Sequence, residues 1–310
     1  MPGDDQATIV ILDYPGAQRF AILGMQDMFT FARQQALAQG GSFPDATARE
    51  LPPGAALAVI MPPALSLSTP TLPDGWSKRL HSLQKDGSLL ASVCSGAFLL
   101  AQAGRLDGRT ATTHWIHAAE FRKRHPRVIV DTDRLLMDQG DIVTAGGVMA
   151  WTDLALHLIE RFGSRGLMLT TAKMFVIDPP ERDQNPYATF APNFSHNDAA
   201  IRTIQILLAE RPAETHATAA LASAAAMSER TFLRRFGKAT GLSPVAYLQN
   251  IRVQAARSRL ELSRASVEQI SWELGYSDVA TFRRVFKRIV GLSPADYRRK
   301  FGAPSALPRP

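Results

Sequence analysis

A repeated segment in the C-terminal third constrains the fold of this chain more than any other feature. Residues 231–247 and 281–297 align at a spacing of 50 positions and are identical at 9 of 17 positions. A repeat of this length predicts two copies of one supersecondary unit. The identical residues are Thr231/Thr281, Phe232/Phe282, Arg234/Arg284, Phe236/Phe286, the Gly-Leu-Ser-Pro of 241–244 and 291–294, and Tyr247/Tyr297.

Each copy predicts a helix, a tight turn and a second helix. In the first copy, 218–226 is rich in Ala, and Ser228 is a suitable N-cap for the helix that follows. In the second copy, Gly275 ends one helix and Asp278 can cap the next. Two Phe at i and i+4 would then bury one face of each second helix. The sequence predicts helix-turn-helix motifs at about 217–240 and 267–290, joined by a linker helix at 244–260.

The second helix of each copy is basic on the face away from its Phe residues. A basic helix suits the major groove of DNA, where Arg bonds guanine edges and neutralises phosphates. One such helix could equally be the solvated surface of a helical bundle. Repetition of the same Phe, Arg and Gly-Leu-Ser-Pro positions favours DNA binding. The basic residues are Arg230, Arg234 and Arg235 in the first copy and Arg283, Arg284, Lys287 and Arg288 in the second.

Residues 197–301 resemble the DNA-binding domain of the AraC/XylS family. The resemblance is carried by "RTFLRRFGKATGLSPVAYLQNIRVQAAR" and "ELGYSDVATFRRVFKRIVGLSPADYRRKF". It implies two recognition helices that enter successive major grooves on one side of promoter DNA. Leu233, Val279 and Ala280 could offer only apolar contacts, for instance to a thymine methyl. The predicted DNA-binding residues are Arg230, Leu233, Arg234 and Arg235 in the first helix and Val279, Ala280, Arg283 and Arg284 in the second.

Length and charge agree with two domains. A chain of 310 residues can bury two cores of ordinary size. From residue 196 onward there are 18 Lys and Arg against 9 Asp and Glu, a net charge of +9, whereas the preceding residues have 17 against 19, a net charge of −2. The basic excess therefore belongs to the C-terminal half, as a polyanion-binding module requires.

The N-terminal half alternates short apolar runs with helical patterns. This alternation predicts a flavodoxin-like α/β domain with a mostly parallel sheet. Residues 40–53 are polar and predict no regular element, and four Pro within 178–196 indicate a linker there. Predicted strands are 8–13, 56–61, 88–93, 128–131, 134–138 and 141–145, and predicted helices are 22–39, 76–85, 96–102 and 149–162. The predicted division is an α/β domain at 1–177, a linker at 178–196, an all-α DNA-binding domain at 197–303 and a tail at 304–310.

The single cysteine, Cys94, follows the predicted strand 88–93 and precedes a predicted helix. This order is typical of a nucleophile elbow. The helix N-terminus can lower the pKa of a thiol there, and His114 could act as its base. A small buried residue in a tight turn is the alternative interpretation. Cys94, Ser95 and His114 are the candidate residues of a ligand or redox site.

Residues 8–190 resemble the PfpI-like branch of the class I glutamine amidotransferase superfamily, and in particular the GlxA-like regulators. The resemblance is carried by "VCSGAFLLAQAGRLDGRTATTHW", "TAGGVMAWTDLALHLIE" and "DPPERDQ". In enzymatic relatives it implies a Cys and a His, which Cys94 and His114 match. The resemblance also implies an acidic residue near the first strand of such enzymes, but that position falls on Ala21. The Pro-Gly-Gly that usually follows the second core strand is replaced by Pro62, Pro63 and Ala64. Pro63 has no backbone N–H to donate to an oxyanion. We therefore expect a binding domain rather than an enzyme.

The combined expectation is a cytoplasmic transcriptional regulator. Its predicted partners are double-stranded promoter DNA, a small-molecule effector, a second copy of the chain and, for an activator, RNA polymerase. No cofactor, metal or membrane is expected: the pair His114 and His117 has no evident third ligand, and the acidic N-terminus lacks the features of a secretion signal. Two alternatives remain, a cysteine-dependent hydrolase, amidase or hydratase with an attached DNA-binding domain, and a redox sensor at Cys94.

Overall fold

The computed structural model describes residues 8–64, 69–179 and 183–302. The chain divides into two compact units, with the boundary between Gln184 and Asn185. The predicted tail at 304–310 and residues 180–182 of the predicted linker lie outside the described residues.

The first unit is built on a six-stranded, mostly parallel sheet, as predicted. Its strand order is β2-β1-β3-β4-β8-β7, and only the edge strand β7 is antiparallel to its neighbour. Strands β5 and β6 form a separate two-stranded sheet. The strands are β1 (Thr8–Leu12), β2 (Asp45–Arg49), β3 (Ala58–Met61), β4 (Leu89–Val93), β5 (Thr110–Ala111), β6 (Ile129–Val130), β7 (Leu136–Asp138) and β8 (Ile142–Ala145).

Helices cover both faces of this sheet. Successive residues of a strand point to opposite faces, so Ile9 and Ile11 of β1 pack into one core while Val10 and Leu12 pack into the other. Helices α1, α5 and α6 bury residues in the first core, and α2, α3 and α4 do so in the second. The six helices are α1 (Arg19–Ala38), α2 (Trp76–Lys85), α3 (Ala97–Gln102), α4 (Ala118–Arg124), α5 (Trp151–Phe162) and α6 (Arg165–Phe175).

Strands β2, β6 and β7 differ from the sequence prediction, and β5, α4 and α6 have no counterpart among the predicted elements. Strand β2 lies within the stretch 40–53 that was expected to be irregular, and it is a half-buried edge strand held by parallel pairing to β1. The predicted strand 128–131 is not part of the main sheet. Its central residues form β6, which pairs with β5. The predicted strand 134–138 is shorter and antiparallel. Backbone pairing decides these short strands, and their side chains carry little hydrophobic pattern.

The second unit is all-α and contains seven helices within residues 183–302. Helices α7 to α9 pack around Phe232 and Phe236, and α11 to α13 pack around Phe282 and Phe286. The long helix α10 contributes to both cores. The helices are α7 (Ala199–Glu210), α8 (Thr218–Ala224), α9 (Glu229–Thr240), α10 (Pro244–Leu262), α11 (Val267–Glu273), α12 (Val279–Val290) and α13 (Pro294–Phe301).

The predicted N-caps are confirmed. The Ser228 hydroxyl accepts a hydrogen bond from the Thr231 N–H, and the Asp278 carboxylate accepts from the Ala280 and Thr281 N–H groups. These caps satisfy backbone donors that the first turn of a helix leaves free. They fix where the second helix of each motif begins.

The two helix-turn-helix motifs turn through left-handed residues of different type. Ala226 has φ 52° in the first turn and Gly275 has φ 77° in the second. A Cβ on Gly275 would overlap the backbone of Ala213, so glycine is required there. The cap Ser228 follows Ala226 by two residues, whereas Asp278 follows Gly275 by three. The spacing of 50 positions thus applies to the second helices, while the turns differ in length by one residue.

Candidate DNA interface and sensor-domain site

Helix α9 separates a buried aromatic face from an exposed basic one. Phe232 and Phe236 are fully buried, while Arg230, Leu233 and Arg234 are exposed. Within residues 183–302, neither the Arg230 nor the Arg234 guanidinium has an ion-pair partner. These two groups are therefore accessible to an anionic ligand, and their contact with DNA stays a prediction.

Arg235 departs from the predicted outward set. Its guanidinium donates two hydrogen bonds, of 2.8 and 2.7 Å, to the carboxylate of Asp198, the N-cap residue of α7. Its counterpart 50 positions later is Val285, which is 5% exposed in the core of the second motif. The Arg235 hydrogen bond holds the pKa of Asp198 below its usual value. This position holds α7 against α9, a role that the basic composition of the helix did not reveal.

Helix α12 repeats the arrangement with weakly held cations. Ala280, Arg283 and Arg284 are exposed, and Val279 is half-buried. Arg283 lies 2.6 Å from Glu268 in an ion pair whose side chains are 56% and 42% exposed, and Arg284 donates to the Thr281 hydroxyl. Exposed ion pairs of this kind contribute little to stability. Arg283 can therefore leave Glu268 for another anion at a small cost in free energy.

Cys94 of the first unit lies at a strained strand-to-helix turn. Strand β4 ends at Val93, and a 3-10 turn over Cys94–Gly96 leads into α3. Cys94 has φ 55°, which a non-glycine residue adopts only when the surrounding structure enforces it. The predicted nucleophile-elbow geometry is therefore present.

The pKa of the Cys94 thiol is raised, whereas a helix N-terminus alone would lower it. Cys94 is 2% exposed, and this burial raises the pKa of its thiol to about 11, although the Ser95 backbone and hydroxyl act in the other direction. Burial also raises the pKa of the neighbouring Tyr14, whose hydroxyl donates a 2.6 Å hydrogen bond to the Pro62 carbonyl. Of the two interpretations of Cys94, burial therefore favours the small buried residue in a tight turn, because desolvation outweighs the local hydrogen bonds.

His114 does not hydrogen-bond to Cys94 in the described part of the chain. Its Nδ1 accepts from the Ile116 N–H at 3.1 Å and so caps the short turn Trp115–His117. Burial, followed by the proximity of His117, lowers the pKa of His114. The direct partner of the elbow is Thr113, whose hydroxyl donates to the Cys94 carbonyl at 2.8 Å. Ala21, at the predicted acidic position, is fully buried.

Gln184, a buried carboxamide beside this elbow, was not among the residues predicted from the sequence. Its side chain is enclosed by Thr112, Thr113, Trp115 and Arg134, all of the first unit. The residue is 2% exposed although it lies within the predicted linker. The signal in the sequence was "DPPERDQ", whose closing Gln carries no periodicity that would mark it as buried.

No group of three or more His, Cys, Asp or Glu side chains is arranged to hold a metal ion in residues 8–64, 69–179 and 183–302. In the same residues, no helix combines the length and apolar character needed to cross a membrane.

Comparison with known proteins identifies both halves of the chain. Residues 42–161 match the DJ-1/PfpI family, and residues 221–300 match a helix-turn-helix domain. The chain is 31% identical to the HTH-type transcriptional regulator GlxA of Rhizobium meliloti, over 72% of this chain and 69% of that protein. The chain belongs to the GlxA-like regulators. It is a DNA-binding transcriptional regulator with a DJ-1/PfpI domain followed by an AraC-type domain.

This GlxA-like regulator is also similar to a second curated regulator and to a solved structure. It is 27% identical to the HTH-type transcriptional regulator GbdR of Pseudomonas aeruginosa, over 74% of this chain and 62% of that protein. Among solved structures, Drosophila melanogaster DJ-1beta is 17% identical, with 56% of this chain and 99% of that chain covered and a TM-score of 0.44.

Proposed function

We propose that this regulator recognises a specific promoter sequence with α9 and α12 and that a small molecule in the first unit controls its binding. The observation that carries the proposal is the equivalence of Arg234 and Arg284. Both are exposed and occupy the same position in two helices capped in the same way. Arg at such positions can bond guanine bidentately in the major groove. The residues assigned to DNA contact are Arg230, Leu233, Arg234, Val279, Ala280, Arg283 and Arg284.

Phosphate contacts supply the sequence-independent part of the affinity. Lys238 and Lys287 are exposed at the basic faces of α9 and α12. Each phosphate that a cation neutralises releases bound counterions, so affinity falls steeply with salt concentration. Two contact helices in one chain fit two adjacent major-groove segments on one side of the duplex.

The first unit supplies control. Ligands of open α/β sheets bind at the carboxyl ends of parallel strands, where β4 leads into Cys94 and β8 into Gly146. We assign effector binding to this edge, with dimerisation through a second copy of the chain, and recruitment of RNA polymerase if the regulator activates. Such a protein acts in the cytoplasm.

The test is enrichment of fragmented genomic DNA of the host by the purified full-length chain. We expect a compact common site whose enrichment decreases as salt is raised. The double variant Arg234→Ala and Arg284→Ala is the control, because both guanidiniums are exposed and their loss leaves the cores intact. Enrichment of no site, or of the same site by the double variant, would contradict the proposal.

A second candidate function, cysteine-dependent hydrolysis or hydration, is favoured by the strained φ of Cys94. The raised pKa of the thiol and the capping role of His114 weigh against it. Steady-state assays of wild type and Cys94→Ala with amide, isonitrile and α-oxoaldehyde substrates decide between the two. Turnover that depends on Cys94 would establish the enzymatic function.

A further inference from the structure

The side chain of Gln184 is bound as a ligand would be. Its Nε2, which has two N–H groups, lies within hydrogen-bond distance of three acceptors: the Thr112 hydroxyl at 3.0 Å and the carbonyls of Thr113 at 3.0 Å and Arg134 at 3.1 Å. Its Oε1 accepts from the Trp115 N–H at 3.2 Å. Three acceptors around the amide nitrogen and one donor at the amide oxygen distinguish a carboxamide from a carboxylate.

The surrounding chain is shaped to admit this group. A Cβ on Gly146, which follows β8, would overlap the Gln184 carboxamide and the Thr113 carbonyl. Glycine at 146 therefore creates the space that the amide fills. Thr113 also holds the Cys94 carbonyl through its hydroxyl. The carboxamide thus lies at the carboxyl edge of the sheet, beside the elbow, where α/β domains bind their ligands.

Gln184 is also the last residue of the first unit. Its backbone N–H donates to the Asp133 carbonyl at 3.0 Å, and Asp183 pairs with Arg134. The next residue, Asn185, belongs to the second unit, where Arg257 donates to its carbonyl at 2.8 Å. The bound carboxamide therefore also anchors the last residue of the first unit.

We propose that Thr112, Thr113, Arg134 and Trp115 form a carboxamide-binding cradle, that Gln184 occupies it as an internal latch, and that an effector with a primary amide or ureido group displaces it. The effector then fills the cradle in place of Gln184. The connection at residues 183–184 is no longer held, and this release changes the affinity for the operator. The inference rests on effector control of DNA binding, as proposed above, and adds the ligand class and the switch.

Chemical rescue separates filling of the cradle from tethering of the connection. The variant Gln184→Ala removes Cγ, Cδ, Oε1 and Nε2, the four heavy atoms of acetamide. In wild type the cradle is filled and the connection at residues 183–184 is held. In Gln184→Ala the cradle is empty and the connection is released. Acetamide should fill the cradle of Gln184→Ala without holding the connection, which reproduces the state expected with the effector bound. The readouts are the Tm of the full chain and its affinity for the enriched operator, with acetamide titrated to about 100 mM because a ligand of this size binds weakly.

We expect Gln184→Ala to lower the Tm, because buried acceptors lose their donor, and acetamide to raise it again by mass action. Operator affinity should change about fivefold or more in the variant, within the usual range of coupling between sites, and should stay changed when acetamide restores the Tm. Acetate, of the same shape, should not restore the Tm. Gln184→Met, which fills the space without an amide, should show no acetamide response and provides a folded variant if Gln184→Ala unfolds.

Three outcomes overturn the inference. An equal Tm response to acetamide and acetate removes the carboxamide specificity. An operator affinity of Gln184→Ala and Gln184→Met within about twofold of wild type removes the switch. If acetamide restores both the Tm and the operator affinity of Gln184→Ala, Gln184 has only a structural role. Failure of wild type itself to bind an operator contradicts the proposed function instead, and the Tm response to acetamide still tests the cradle.

Discussion

Two adjacent arginines of α9 show how far a residue's role depends on its surroundings. Arg234 is exposed and unpaired within residues 183–302, whereas Arg235 is bonded to Asp198. We expect Arg234→Ala to weaken operator binding by about 1–3 kcal/mol and to relax preference at one base pair, with little change of Tm. Arg235→Ala should lower the Tm and leave base preference unchanged. Fluorescence anisotropy at fixed salt and calorimetry measure the two effects.

This pair of variants can contradict the assignment in either direction. Arg235→Ala with an unchanged Tm and altered base preference would return Arg235 to the DNA interface. Arg234→Ala with wild-type affinity for the operator at matched salt would remove Arg234 from it.

The reactivity of Cys94 is a second prediction at the scale of a residue. Burial raises the pKa of the thiol to about 11, so the folded state favours the protonated form. This contribution to stability is fully present below the ordinary thiol pKa of about 8.5 and is lost as pH rises through about 11. The rate of alkylation by iodoacetamide should therefore rise with a midpoint near 11 in the folded chain and near about 8.5 in urea.

The midpoint of the alkylation profile, rather than the rate, is the decisive quantity, because burial also slows access of the reagent. Cys94→Ala supplies the background reaction. A folded-state midpoint at or below that in urea would show that the thiolate is stabilised, and it would restore the redox-sensor alternative.

At the scale of an element, Asp198 is the clearest determinant of α7. Its carboxylate accepts from the Ile201 N–H at 3.2 Å and pairs with Arg235. Asp198→Asn keeps a capping oxygen and loses the charge, while Asp198→Ala loses both. We expect the Tm to fall in the order wild type, Asn, Ala, with loss of the cap costing about 0.5–2 kcal/mol.

The pH dependence of the Asp198 variants follows from the same contacts. The hydrogen bond from Arg235 is the largest effect that lowers the pKa of Asp198. The carboxylate therefore stabilises the fold fully above its unfolded pKa of about 3.9, and this contribution is lost as pH falls through the lower folded value. The Tm difference between wild type and Asp198→Asn should narrow in acid, and a constant difference would show that the charge is not involved.

Elements with a strong local signal were predicted, and elements defined by pairing were not. Helix α2 was predicted over the bounds that it has, and Ser228 and Asp278 were predicted as caps. Strand β2 was missed because its apolar residues, Ala46 and Ala48, are small and give only a weak hydrophobic pattern. Its hydrogen bonds come from β1, which is distant in sequence.

At the scale of the whole molecule, the structure predicts where the DNA-binding unit must begin. Arg257 is 3% exposed and donates to the carbonyls of Asn185 and Ala188, and the Phe190 N–H donates to Gln254. A fragment starting at 197 loses these partners, whereas one starting at 185 keeps them. We expect the shorter fragment to have a lower Tm, with the unpaired Arg257 alone costing about 1–3 kcal/mol.

Thermal unfolding of the two fragments tests this boundary. Arg257→Met in both is the control, because it removes the buried charge and should reduce the difference between them. Equal Tm values for the unsubstituted fragments would show that residues 185–196 are a linker after all.

The two helix-turn-helix motifs and the alternation of strands with helices can be predicted from the sequence alone. Their signals are local, since caps, the i, i+4 aromatic pair and apolar runs act within a few residues. The burial of each group and its bonding partners depend on the tertiary structure. Burial and partner choice join distant residues, so no local pattern predicts the pairing of Arg235 with Asp198, the raised pKa of Cys94 or the cradle around Gln184.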